Sequence, residues 1–123
     1  MNPLDYSLCR DTVTVYRKEK EGIFRQVLEN CLLTWEEQIV TDTYGTRKGV
    51  EFLLIHPGET QAVFPGDRVF AGIGPEIGPE QWGEFLPAAV AGLGQVSYVR
   101  IYRWDGRICH TEAGTRQPVR PQL

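Results

Sequence analysis

At 123 residues the chain has the length of one domain, and 41% hydrophobic with 24% charged residues is an ordinary globular composition that leaves disorder to the ends. A net charge of −3 and a pI near 5.4 argue against nucleic acid or an anionic membrane as the main target. Cys9, Cys31 and Cys109 have neither Cys-x-x-Cys spacing nor the pattern of a disulfide framework. The opening Met1 to Arg10 lacks a basic stretch followed by an apolar one, and no apolar run is long enough to span a bilayer. Reduced thiols and synthesis and folding in the cytoplasm are therefore expected.

Thr12 to Arg17 alternates β-branched residues, which predicts a strand with Val13 and Val15 on one face. The charged tract Arg17 to Glu21 with Gly22 reads as a loop. Ile23 to Trp35 lacks a helix cap and a sustained helical stripe, so it is expected to be a strand bent near Asn30. Glu36 to Thr43 and Val50 to His56 flank Tyr44 to Gly49, a turn-like linker with two glycines, and form a hairpin candidate. In its second strand Val50, Phe52 and Leu54 would face one way, Leu53 and Ile55 the other. Pro57-Gly58 ends that strand, and Phe64-Pro-Gly-Asp67 is a turn that launches the next, Arg68 to Ile73.

Ile73 to Glu80 is a doubled Ile-Gly-Pro-Glu that reads as a stiff loop. Pro79 suits the first position of a helix. Trp82, Phe85, Leu86, Ala89, Val90 and Leu93 then fall on one helical stripe, with Pro87 inside it and Gly92 and Gly94 as its stop. The stretch Gly94 to Gly114 reads as a hairpin turning at Asp105-Gly106, because Asp-Gly supplies the positive φ of a tight turn. A two-residue turn pairs Trp104 with Arg107, Arg103 with Ile108, Tyr102 with Cys109, Ile101 with His110 and Arg100 with Thr111. Both faces are then partly apolar, which predicts a hairpin covered on both sides. From Thr115 to Leu123 there are two prolines and little to bury, so a flexible tail follows a single domain spanning residues 1–114.

Four residue groups invite chemistry. Cys109-His110 suggests an activated thiolate, but neighbours on a strand point to opposite faces. His56, His110, Asp67 and Glu112 could ligate a metal, although no local spacing places them on one face. Gly72 to Gly78 has the look of a phosphate loop, yet Pro75 removes a donor and no Lys or Thr follows. Arg100, Arg103, Arg107, Arg116 and Arg120 with Tyr98, Tyr102 and Trp104 could stack on single-stranded nucleic acid. The same residue types dominate protein interfaces, and the acidic total favours that reading.

In their order, the strand Thr12-Val-Thr-Val-Tyr16, the segment Phe24 to Trp35, the apolar strand ending Leu54-Ile-His-Pro57, the stretch Pro65 to Gly72 and the closing hairpin with His110-Thr-Glu-Ala-Gly114 are similar to a phage family. The pattern resembles minor structural proteins from the head-morphogenesis cassette of tailed phages and prophages of low-GC Gram-positive bacteria. The resemblance covers about Thr12 to Gly114. It departs at His56, which intervenes between Ile55 and Pro57, and in the doubled Ile-Gly-Pro-Glu loop. It implies a small β-barrel-like subunit of minor capsid, head-closure or head-to-tail connector type, assembling in a ring at the neck of the virion.

The combined expectation is a mainly β chain, a small barrel or sandwich-like single domain with one short helix near residues 80–93 and a C-terminal hairpin. It is a non-enzymatic virion protein with no catalytic, cofactor or metal residues. Its contacts run through Arg100, Tyr102, Trp104, Arg107, Arg116 and Arg120 to other phage structural proteins, with membrane excluded and nucleic acid not the main target. It would pass from the bacterial host cytoplasm into the virion. A ligand-binding barrel would instead line an apolar pocket with Trp35, Phe52 and Trp104. A small metal-dependent hydrolase would bring His56, His110 and a carboxylate together.

Overall fold

The computed structural model describes residues 4–115, and these are mainly β. Seven strands form one antiparallel sheet: β1 (Asp11–Glu19), β2 (Gly22–Asp42), β3 (Gly45–Pro57), β4 (Arg68–Ala71), β5 (Leu93–Gln95), β6 (Tyr98–Trp104) and β7 (Arg107–Gly114). Their order across the sheet is β5-β4-β1-β2-β3-β7-β6. The two outermost strands are consecutive in the chain, joined through Val96 and Ser97 alone. The sheet therefore curls into a half-barrel whose two ends are tied at Val96 and Ser97, which buries one face without a second layer.

Strand β2 makes the curl possible. Its first half pairs with β1 up to Cys31, with a register break after Leu28, and its second half pairs with β3 from Leu32 onward. Within that break Asn30 adopts φ 57°, a left-handed conformation that asparagine tolerates better than most residues. The bend expected near Asn30 is there. The tract Arg17 to Glu21 is not a loop, however: β1 and β2 run on through it to Glu19 and Gly22, leaving only Lys20-Glu21 as the turn.

Inside the curl, Val13, Val15, Leu28, Cys31, Phe52, Leu54, Val63, Val69, Val96 and Ala113 form the main core. The alternation read for β3 holds, with Phe52 and Leu54 buried and Leu53 and Ile55 on the other face. Burying such side chains contributes on the order of 1.5–3 kcal/mol each. Phe64-Pro-Gly-Asp67 is the turn that launches β4: the amide of Asp67 donates to the Phe64 carbonyl, and the Phe64 amide donates back to the Asp67 carboxylate. That carboxylate, 1% exposed, also accepts from Arg17 Nε and Nη2, each at 2.8 Å. A buried charge so placed is paired on every side.

The outer face of the β4-β1 region is buried too, by the connection from Gly72 to Gly92. Tyr16 packs edge-on against Phe85 with ring centres 4.7 Å apart, and its hydroxyl donates to the Pro75 carbonyl at 2.6 Å. Arg68 lies 3.7 Å over the Trp82 ring and donates to the carbonyls of Trp82 and Phe85. The helical stripe resolves into less helix than its spacing suggests. One 3-10 turn, Pro79–Gln81, begins at the expected proline, and the chain then proceeds by turns to Leu93, which is already strand. Trp82, Phe85, Val90 and Leu93 do face Tyr16 and Phe70, whereas Leu86 and Ala89 are exposed. Pro87 lacks the N–H that a helix would need at that position, and Gly83 lowers the helix propensity of the stretch.

Candidate interaction surfaces

The C-terminal hairpin turns where the sequence says, with Asp105 at φ 53° and Gly106 at φ 77°. Trp104 pairs with Arg107 and Arg103 with Ile108, as expected. Beyond that the register shifts by one: Tyr102 faces His110, Ile101 faces Thr111 and Arg100 faces Glu112. Cys109 is the extra residue of a β-bulge, and its carbonyl accepts a hydrogen bond from the Gly58 amide at 3.0 Å. That long-range contact, absent from any local pattern, corrects the three predicted pairs.

The shift assembles a cluster. Tyr102 and His110 stack in parallel with ring centres 5.1 Å apart, Tyr6 meets His110 edge-on, and the Tyr6 hydroxyl shares a 2.7 Å hydrogen bond with His110 Nδ1. Beside them Arg100 and Glu112 form an ion pair at 3.7 Å. Burial lowers the pKa of His110, and the Glu112 carboxylate acts against that shift. Tyr6 carries no signal in the sequence that would have marked it. The N-terminal segment thus covers part of one hairpin face, and Val99 and Ala113 turn the other into the core. Among the described residues, strand β6 is a sheet edge, paired on one side only, by β7.

Trp104, 46% exposed, lines a cleft of about 600 Å³ at the hairpin tip together with Tyr6, Glu59, Arg107 and Cys109. Of the candidate interface residues, Arg100 and Tyr102 therefore share one hollow and Trp104 and Arg107 another. Arg116 and Arg120 lie outside the described residues.

The other chemical groupings come apart. Cys109 lines the tip cleft while His110 lines the hollow with Arg100 and Glu112. His56 pairs with Thr111 on the inward side of the sheet, opposite to His110 and Glu112, and Asp67 is engaged with Arg17. Among the described residues no three His, Cys, Asp or Glu side chains are grouped to hold a metal. In the glycine loop the Gly74 amide is taken by Thr14 Oγ1 and the Gly78 amide by the Gln81 side chain. Trp35 and Phe52 stack in the core, 5.6 Å between centres, with Gly94 pressed against Phe52, and neither lines the cleft that Trp104 lines. No described helix is long and apolar enough to cross a membrane.

One feature escaped the motif reading. The β2-β3 hairpin runs far past the core: the ladder continues from Glu36 opposite Glu51 to Asp42 opposite Gly45, turning tightly at Thr43-Tyr44. Residues Gly45 to Gly49, expected as a linker, are strand. The Tyr44 amide is held by the Asp42 carboxylate, and the Thr41 and Thr46 hydroxyls bond across the strands. Seven residues per strand at about 3.3 Å each give an arm on the order of 23 Å long. Near its end Ile39 is 72% exposed and Tyr44 94%. The absence of a Pro or an internal Gly from Ile23 to Thr43 was the available signal.

No family model, curated protein or solved structure matches the chain.

Proposed function

We propose that this chain is a non-enzymatic structural protein of a tailed phage or prophage, of the minor capsid, head-closure or head-to-tail connector type. It acts at the head-tail junction through subunit contacts, is made in the bacterial host cytoplasm and enters the virion by assembly. The phage assignment rests on the sequence resemblance. The contact role rests on one observation, the β2-β3 arm, which carries Ile39 and Tyr44 into solvent and buries neither within its own chain. Isolated two-stranded ribbons are marginal in water, so an arm of this length is best explained by a surface it docks against.

The test is mass by light scattering over a concentration series, alone and mixed with the proteins encoded beside this one. Partner-dependent assembly is the expected result. A monomer indifferent to every neighbour would overturn the proposal.

A further inference from the structure

Among the described residues, two of the strand edges left unpaired carry opposite charge. The arm segment of β2, Glu36 to Asp42, pairs with β3 on one side and with no strand on the other, and it contains three acidic residues and no basic one. Strand β6, also seven residues long, pairs only with β7 and contains Arg100 and Arg103 with no acidic residue. Charged side chains on an edge normally block accidental pairing with another strand. Here each edge blocks its own kind and suits the other.

We infer that the arm of one copy adds to the β6 edge of a second copy, continuing its sheet by antiparallel pairing. The inference rests on the reading of the arm as a contact element and names its occupant. A register that sets Ile39 against Ile101 also sets Glu37 against Arg103, so an apolar pair and an ion pair fall on one face. The two like-with-like pairings fit worse. Two arms paired through β2 about Ile39 would place Glu36 against Asp42 at both ends, and two β6 edges would gather four arginines on one seam. Donor and acceptor surfaces differ, so the contact is head-to-tail. It leaves a free arm at one end and a free edge at the other until a ring closes. Backbone hydrogen bonds supply the affinity and the charges supply the orientation.

The experiment uses the full chain with Cys109→Ser, since Cys9 and Cys31 are buried. Ile39→Cys and Ile101→Cys variants are prepared separately and mixed under mild oxidation. Cross-linking in the mixture and in neither variant alone is expected. Cross-links within one variant, or none in the mixture, would overturn the inference. Because Ile101→Cys could disturb folding, charge reversal supplies an independent arm. Glu37→Lys and Arg103→Glu should each weaken self-association in sedimentation by about tenfold, and mixing the two should restore it. Unchanged association in both variants would overturn the head-to-tail contact. A chain that never self-associates but assembles on a neighbouring gene's product would overturn this inference and leave the structural role standing.

Discussion

At single positions, backbone conformation and burial decide more here than any reactive group. Gly106 has φ 77°, and nothing lies within 4 Å of where a Cβ would stand. A side chain there meets no neighbour, so its cost is backbone strain alone. Gly106→Val should destabilise the domain by about 1–2 kcal/mol, read as a lower urea midpoint. An unchanged midpoint would contradict the turn. His56 offers a different test. Its ring lies opposite Thr111 on the inward side of the sheet, and burial lowers its pKa from the ordinary value of 6.5. The folded chain therefore takes up a proton less readily than the unfolded one. The stability tied to His56 is complete above about pH 6.5 and is lost as pH falls below it toward the depressed folded value. His110 shifts the same way but is offset by Glu112. His56→Gln should flatten the loss of melting temperature between neutral and mildly acidic pH more than His110→Gln does; equal slopes would refute this.

Among the elements, those whose cause is local were legible in the sequence. Alternation gave β1 and the second strand of the long hairpin, Asp105-Gly106 gave the closing turn, and Phe64-Pro-Gly-Asp67 gave the start of β4. What sequence missed depends on distant contacts. The bulge at Cys109 follows from its bond to Gly58, and the stripe from Trp82 to Leu93 is apolar because it covers Tyr16 and Phe70, a demand that turns meet as well as a helix does. The arm was half legible: its strands were seen, but its projection follows from where the core ends. Because Glu36 to Gly49 buries none of the main core, replacing Gln38 to Gly49 with Asn-Gly, which keeps Glu37 opposite Val50, should shift the melting temperature by no more than a few degrees while abolishing assembly. A large thermal loss would show that the arm supports the fold; intact assembly would remove it from the interface.

For the whole molecule, the decisive event is the tying of the sheet's two ends. Val96 bridges them: its amide donates to the Asp67 carbonyl, its carbonyl accepts from Gly66, and the next amide, of Ser97, donates to Gly114. The crossing works only because β5 comes close to β3 on the far side of the core. A Cβ on Gly94 would lie 2.6 Å from the Phe52 ring and 3.3 Å from Trp35, closer than packed carbon atoms approach. Phe52 is itself 5% exposed and stacked on Trp35, so it has little room to retreat. Gly94→Ala should therefore destabilise the chain by roughly 1–3 kcal/mol, the scale of an overpacked core, although alanine is otherwise no worse than glycine in a strand. The damage should be specific. Hydrogen exchange should speed most along β5 and β6, where closure is lost, and least along the β1-β2 ladder, which does not depend on it. Pairing Gly94→Ala with Phe52→Leu should recover part of the loss by making space. If the double variant falls by the sum of the two single losses, the glycine is not where the sheet closes.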